Sequence, residues 1–368
     1  MNLRQQRRSR TASAALALGI ALTLAACGGT TQDSADEEPT GGGGGAATGG
    51  ATGGGGGATE YEEGLAITML PKQVNNPYFE TSSEGAQKVV EELGGTYEYT
   101  GPSDASASSQ VSYINTLTQQ AVDAILLSAN DPNALCSALE QAMSGDTAVV
   151  TFDSDVDPSC RDVFVSQVDG EEVGKTLIEM ASEQIDGSGQ VAILSATANA
   201  TNQNAWIQVI EDELANNPDY ADIELVATVY GDDEDEKSFS ETQGLLQANP
   251  DVEAIISPTT VGIAAAARYL QGSDYKGKVA LTGLGTPNQM REFVKDGTVT
   301  EFALWDPGAL GQLAAYTGAA MASGIITGEE GETFEAGDLG EYEIGADGVI
   351  TLGPPTRFNA DNIDDFDF

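Results

Sequence analysis

From residue 64 onward the sequence predicts an α/β fold: two doubly wound lobes joined by a hinge, with a ligand cleft between them. Three observations lead there. Short β-rich apolar runs alternate with helical patterns, the mark of parallel sheets covered by helices. Each strand–helix unit takes roughly 25 to 35 residues, the length of a right-handed crossover. The polar residues gather at the carboxyl ends of the runs, and doubly wound sheets bind their ligands there.

The first series places strands over 65–70, 96–99, 124–128 and 148–152, with helices over 79–93, 111–120 and 135–143. The second places strands over 163–167, 191–195, 225–229, 254–257, 279–282 and 302–305. Its helices fall over 173–185, 206–215, 263–269 and 289–295. Two series imply two similar lobes, 64–153 plus 307–348 and 154–306 plus 349–368. In the first series the polar strand ends are Pro71-Lys72, Asn130-Asp131 and Asp153-Ser154-Asp155. In the second they are residues 199–203, 258–260 and 283–286, then Trp305-Asp306.

The first 63 residues read as a leader and a leash. Arg4, Arg7, Arg8 and Arg10 precede an apolar stretch over 14–26 that is too short to span a bilayer stably. It ends in Leu24-Ala25-Ala26-Cys27, which resembles a lipobox, the processing signal of bacterial lipoproteins. That reading makes 1–26 a signal peptide and Cys27 the site of lipidation, holding the protein at the outer face of the membrane. The alternative is an ordinary secretory signal. Residues 28–63 carry two runs of five glycines and few bulky side chains. Such a segment cannot offset its ordering entropy and is expected to be a flexible tether.

Composition removes several chemistries. The chain has no histidine, so a Ser-His-Asp triad, a Cys-His pair and a histidine zinc site are ruled out. Acidic residues number 58 against 15 basic, a net charge of −43. Without the four arginines of the opening segment and the seven acids of the tether, the remainder carries −40. Nucleic acid, which needs a basic footprint, is excluded as a partner. The acidic excess reads as a hydrated surface suited to a saline habitat, not as a metal site. Gly283-Leu284-Gly285 lacks the third glycine and acidic partner of a dinucleotide site, and no P-loop occurs, so no cofactor is expected. Cys136 and Cys160, in an exported protein, read as a disulfide, with two separately buried thiols as the alternative.

The run of motifs resembles one family. PKQVNNPYF, YTGP, SAND, TFDSD with PSCR, TNQNAW, IISPTT, TPNQMREFVKDGTV, LWD and the terminal FNADNIDDFDF follow in the order seen in a group of periplasmic binding proteins. That group holds autoinducer-2 receptors and their rhamnose-binding relatives, and the resemblance covers residues 64–368. It implies a solute-binding lipoprotein of an ABC importer: a monomer that closes on a small polyhydroxylated ligand and passes it to a membrane permease. By the same resemblance Lys72, Asp153, Gln203 and Pro258 are ligand contacts. Two positions depart from the autoinducer-2 pattern, with Asn202 in place of an aspartate and Thr260 in place of an alanine. Asparagine donates as well as accepts, so both changes remodel the site, and a rhamnose-like sugar fits at least as well as autoinducer-2.

The residues themselves leave alternatives open. Asp153 and Asp155, two apart in an extended segment, share a face and form either a sugar-binding site or the carboxylate pair of a glycosidase. Asp155 is otherwise a hinge or lobe-edge residue. Phe79, beside Tyr78, and Trp305 either pack on a sugar ring or fill the core. Asp306 is expected at the hinge, touching ligand, and Asn130 at its strand end is expected to reach it too. A sensor passing its ligand to a membrane receptor would use the same closed form.

Overall fold

The computed structural model describes residues 60–368. The predicted signal segment, Cys27 and the tether up to residue 59 lie outside the described residues.

Five strands and three helices open the chain: β1 (Ala66–Leu70), α1 (Pro77–Glu92), β2 (Thr96–Tyr99), α2 (Ala107–Gln120), β3 (Ala124–Leu127), α3 (Cys136–Met143), β4 (Ala148–Phe152) and β5 (Val163–Ser166). The middle of the chain holds α4 (Gly170–Gln184), β6 (Ser188–Ser195), α5 (Thr201–Asn216), β7 (Asp222–Tyr230), α6 (Asp235–Ala248), β8 (Val252–Ser257), α7 (Thr260–Gln271), β9 (Ala280–Gly283), α8 (Pro287–Lys295) and β10 (Glu301–Leu304). It closes with α9 (Pro307–Ala322), β11 (Thr333–Glu335), β12 (Glu341–Glu343), β13 (Val349–Thr351) and β14 (Thr356–Asn359).

Two parallel sheets result, ordered β13-β5-β4-β3-β1-β2 and β7-β6-β8-β9. The central strands β3 and β4 are buried along their whole length, which is why they read as unbroken apolar runs. Strand β10 extends the second sheet through a single bridge, Leu284 to Ala303, and pairs antiparallel with β14.

Strand pairing corrects the expected lobe boundary. The run at 163–167 is expected to open the second lobe, yet β5 pairs with β4 and with β13, both in the first sheet. The reason is local: β4 and β5 are joined with only a short 3-10 turn (Pro158–Cys160) between them, so no crossover helix marks them as one unit. Residues 154–166 and 349–351 therefore stand with the first sheet. The chain passes between the sheets after β5, at Trp305-Asp306, and between β13 and β14.

Local signals set the helix starts. Asn76 accepts a hydrogen bond from the Tyr78 amide with Pro77 at the first position of α1. Asp169 caps α4 ahead of Glu171 and Glu172, where acids suit the helix dipole. Helix α9 has no polar stripe because it lies buried against α1, β3 and β4. Its approach to α1 is so close that a Cβ on Gly311 would stand 1.8 Å from the Ser82 carbonyl oxygen, and one on Gly85 2.1 Å from that of Gly308. Cys136 and Cys160 are joined, with an S–S distance of 2.00 Å, tying α3 to the β4–β5 connection.

Candidate ligand-binding site

The carboxyl ends of the two sheets face one cavity. Strand β1 delivers Lys72 and β4 delivers Asp153. From the second sheet, the first turn of α5 brings Asn202 and Gln203, and the residues after β8 bring Pro258, Thr259 and Thr260. Phe79, Trp206 and Trp305 form an aromatic wall.

The polar side chains are joined across the cleft. Lys72 Nζ lies 3.4 Å from Asp153 Oδ2 and donates to Asn202 Oδ1 at 3.0 Å. Asn202 Nδ2 in turn donates to the Asp153 carbonyl at 3.2 Å and to its Oδ1 at 3.4 Å. Both charged side chains are almost fully enclosed, 6% and 7% exposed, and a buried pair holds its charge only when further hydrogen bonds satisfy it. Ser128 supplies one, donating to Asp153 Oδ2 at 2.7 Å. Asp153 adopts a left-handed backbone, φ 61°, a conformation that aspartate tolerates better than most residues.

Supporting groups fix these side chains in turn. Gln203, which lines the cavity, accepts at Oε1 from Ser195 Oγ at 2.7 Å and from the Ala196 amide at 2.8 Å. Trp305 Nε1 donates to Tyr78 Oη at 2.8 Å. Burial, and then the neighbouring Asp153 carboxylate, push the Tyr78 phenol well above its usual range, so it stays a neutral donor. The rings meet edge to face, with centroids 6.2 Å apart for Tyr78 and Trp305 and 6.0 Å for Trp206 and Trp305.

Of the residues singled out from sequence, Lys72, Phe79, Asp153, Asn202, Gln203, Pro258, Thr260 and Trp305 line this cavity. Three do not. Asp155 turns away and takes a two-pronged ion pair from Arg161, Nε to Oδ1 at 2.8 Å and a terminal nitrogen to Oδ2 at 2.9 Å, so the Asp153–Asp155 pair is not assembled at the cavity. Asp306 is exposed and caps α9, accepting from the Gly308 and Ala309 amides. Asn130 is buried beneath the site and donates to the Lys72 carbonyl at 2.8 Å, supporting the lysine rather than reaching the cavity. Asp233 was missed, although it follows β7 as the other lining residues follow their strands. The acidic run Asp232–Asp235 concealed it as ordinary surface.

Residues 67–326 match the family model of the periplasmic binding protein domain. The chain belongs to the periplasmic binding protein family. Among solved structures it is similar to a sugar ABC transporter protein from Actinomyces odontolyticus, with 58% identity and a TM-score of 0.68, covering 83% of this chain and 98% of that one. An ABC transporter solute-binding protein from Clostridium phytofermentas with bound L-rhamnose is 37% identical, at a TM-score of 0.80 and the same coverages. LsrB from Clostridium saccharobutylicum in complex with AI-2 is 30% identical, with a TM-score of 0.75, covering 83% of this chain and all of that one. The relatives of this periplasmic binding protein are thus solute-binding components of ABC transporters, in line with its two parallel sheets and the cavity between them.

Proposed function

We propose that this chain is the solute-binding subunit of an ABC importer and captures one neutral monosaccharide, of the 6-deoxyhexose kind, between its lobes. The observation that carries the reading is the Lys72–Asp153–Asn202 array, which draws on both sheets and stands beside an aromatic wall. Carboxylate, ammonium and carboxamide together offer strong acceptors and donors to sugar hydroxyls. The indole and phenyl faces suit the C–H face of a pyranose or its methyl group. Asn202 sets a donor where the autoinducer-2 pattern has a carboxylate, which favours a rhamnose-like sugar over autoinducer-2 itself. Closing of the lobes about the three connections would commit the sugar and present both lobes to a permease. In this reading Cys27 carries a lipid anchor and the tether lets a monomeric domain reach its permease at the extracytoplasmic face.

Equilibrium dialysis against L-rhamnose, D-ribose, D-galactose and autoinducer-2, with mass spectrometry of the recovered molecule, tests it. A neutral sugar bound in a 1:1 ratio and returned unaltered is expected. Chemical change of the bound sugar would turn the reading to an enzyme, and preference for autoinducer-2 would turn it to signal capture.

A further inference from the structure

One acid in the cavity has no part in the array just described. Asp233 follows β7 on the second-sheet side, is 8% exposed and lines the cavity. Its backbone and the preceding Asp232 are both left-handed, φ 54° and 55°, a costly conformation for two successive residues that contain a Cβ. The main chain is fixed across the cleft by Gln73, whose Nε2 donates to the Asp233 carbonyl at 3.0 Å. Thr259 donates to Oδ1. The other carboxyl oxygen, Oδ2, accepts no hydrogen bond from any described residue. Among the described residues Lys72 is the only base lining the cavity, against the two carboxyls of Asp153 and Asp233.

We propose that Asp233 is a specificity-determining residue: its Oδ2 takes a sugar hydroxyl on the second-sheet side, and its charge bars sugar acids. The proposal rests on the reading of the chain as a neutral-sugar binder. One ammonium and two carboxylates leave the enclosed site net negative. An incoming carboxylate would therefore be repelled where solvent screens little, whereas a hydroxyl donating to Oδ2 is bound strongly. Burial pushes the Asp233 carboxyl up, as do the Asp153 and Asp232 carboxylates, while the Thr259 hydrogen bond and the Lys72 charge oppose them and favour the ionised form.

Asp233→Asn tests this. Asparagine is at home at positive φ, and its carbonyl oxygen still accepts from Thr259, so the turn is preserved. Titration with L-rhamnose, D-ribose, D-galactose and D-galacturonate, followed by the fluorescence of Trp206 and Trp305, reads the outcome. The parent is expected to bind a neutral sugar and not D-galacturonate. The variant should bind that sugar roughly ten- to a hundredfold more weakly, the loss of a charge-assisted hydrogen bond, while D-galacturonate gains relative to it. Thr259→Ala, which leaves the charge in place, should keep D-galacturonate excluded. Unchanged neutral-sugar affinity in the variant, an unchanged affinity ratio, or acceptance of D-galacturonate by Thr259→Ala would overturn the proposal. A parent that prefers D-galacturonate would overturn it while leaving sugar capture intact. A parent that binds none of the four would remove the reading beneath it as well.

Discussion

Asn202→Asp places a carboxylate where the amide now bridges the lobes, and its cost follows from the geometry. The new oxygen would face Asp153 Oδ1 across the 3.4 Å that Nδ2 now spans. At an effective dielectric of about 20 that repulsion is about 5 kcal/mol, and the attraction of Lys72 at hydrogen-bond distance returns about the same. With the charges near balance, what remains is the loss of the two bonds donated by Nδ2. At about 1 kcal/mol each they come to about 2 kcal/mol, or roughly thirtyfold in affinity for a ligand that needs the bridged, closed arrangement. Fluorescence titration with L-rhamnose measures it, since both tryptophans of the chain line the cavity. Parent-like affinity would refute the bridging role of Asn202.

Other expectations concern stability. Replacing Cys136 and Cys160 by serine opens a loop spanning 24 positions and should cost about 3 kcal/mol in urea unfolding. The acidic surface should make the melting temperature rise from low to molar sodium chloride, because screening relieves repulsion among exposed carboxylates; a flat or falling curve would contradict this. For Asp296, burial opposes the charge. Hydrogen bonds from Lys276, Thr298 and Gln271 outweigh that and hold its carboxyl below the usual range. A depressed carboxyl contributes stability above its unfolded pKa and loses it as pH falls through the folded one. Asp296→Asn should therefore lower the melting temperature at pH 7 by about 2 °C, for about 1 kcal/mol, with the gap closing below about pH 4.

Much of this architecture is visible in the residues, for physical reasons. Strands β1 to β4 are short apolar runs between turn residues, and their bounds fall within a residue or two of expectation. Helix α9 leaves no periodic trace because it is packed on nearly all sides, so its alanines and glycines carry no polar face. Strand β5 is plain as a strand but not as a member of the first sheet, since sheet membership is decided by pairing with the adjacent β4 and with β13 far along the chain. The site follows the same division. Strand-end position brings Lys72, Asp153, Asn202 and Gln203 to the cavity, and nearness in sequence misleads for Asp155. Two residues from Asp153, it is claimed by Arg161, whose side chain is 2% exposed. Asp233 needed the strand-end rule applied to β7 despite the acids around it.

The most direct test of sugar capture at this cavity is calorimetric titration of Asp153→Ala beside the parent. Asp153 accepts from Ser128 and Asn202 and lies against Lys72, at the centre of the array that draws on both sheets. The parent should bind L-rhamnose in a 1:1 ratio. The variant should remain folded and lose about 1.5–3 kcal/mol of binding, ten- to a hundredfold in affinity. Parent-like affinity of Asp153→Ala for every sugar the parent binds would place the site elsewhere.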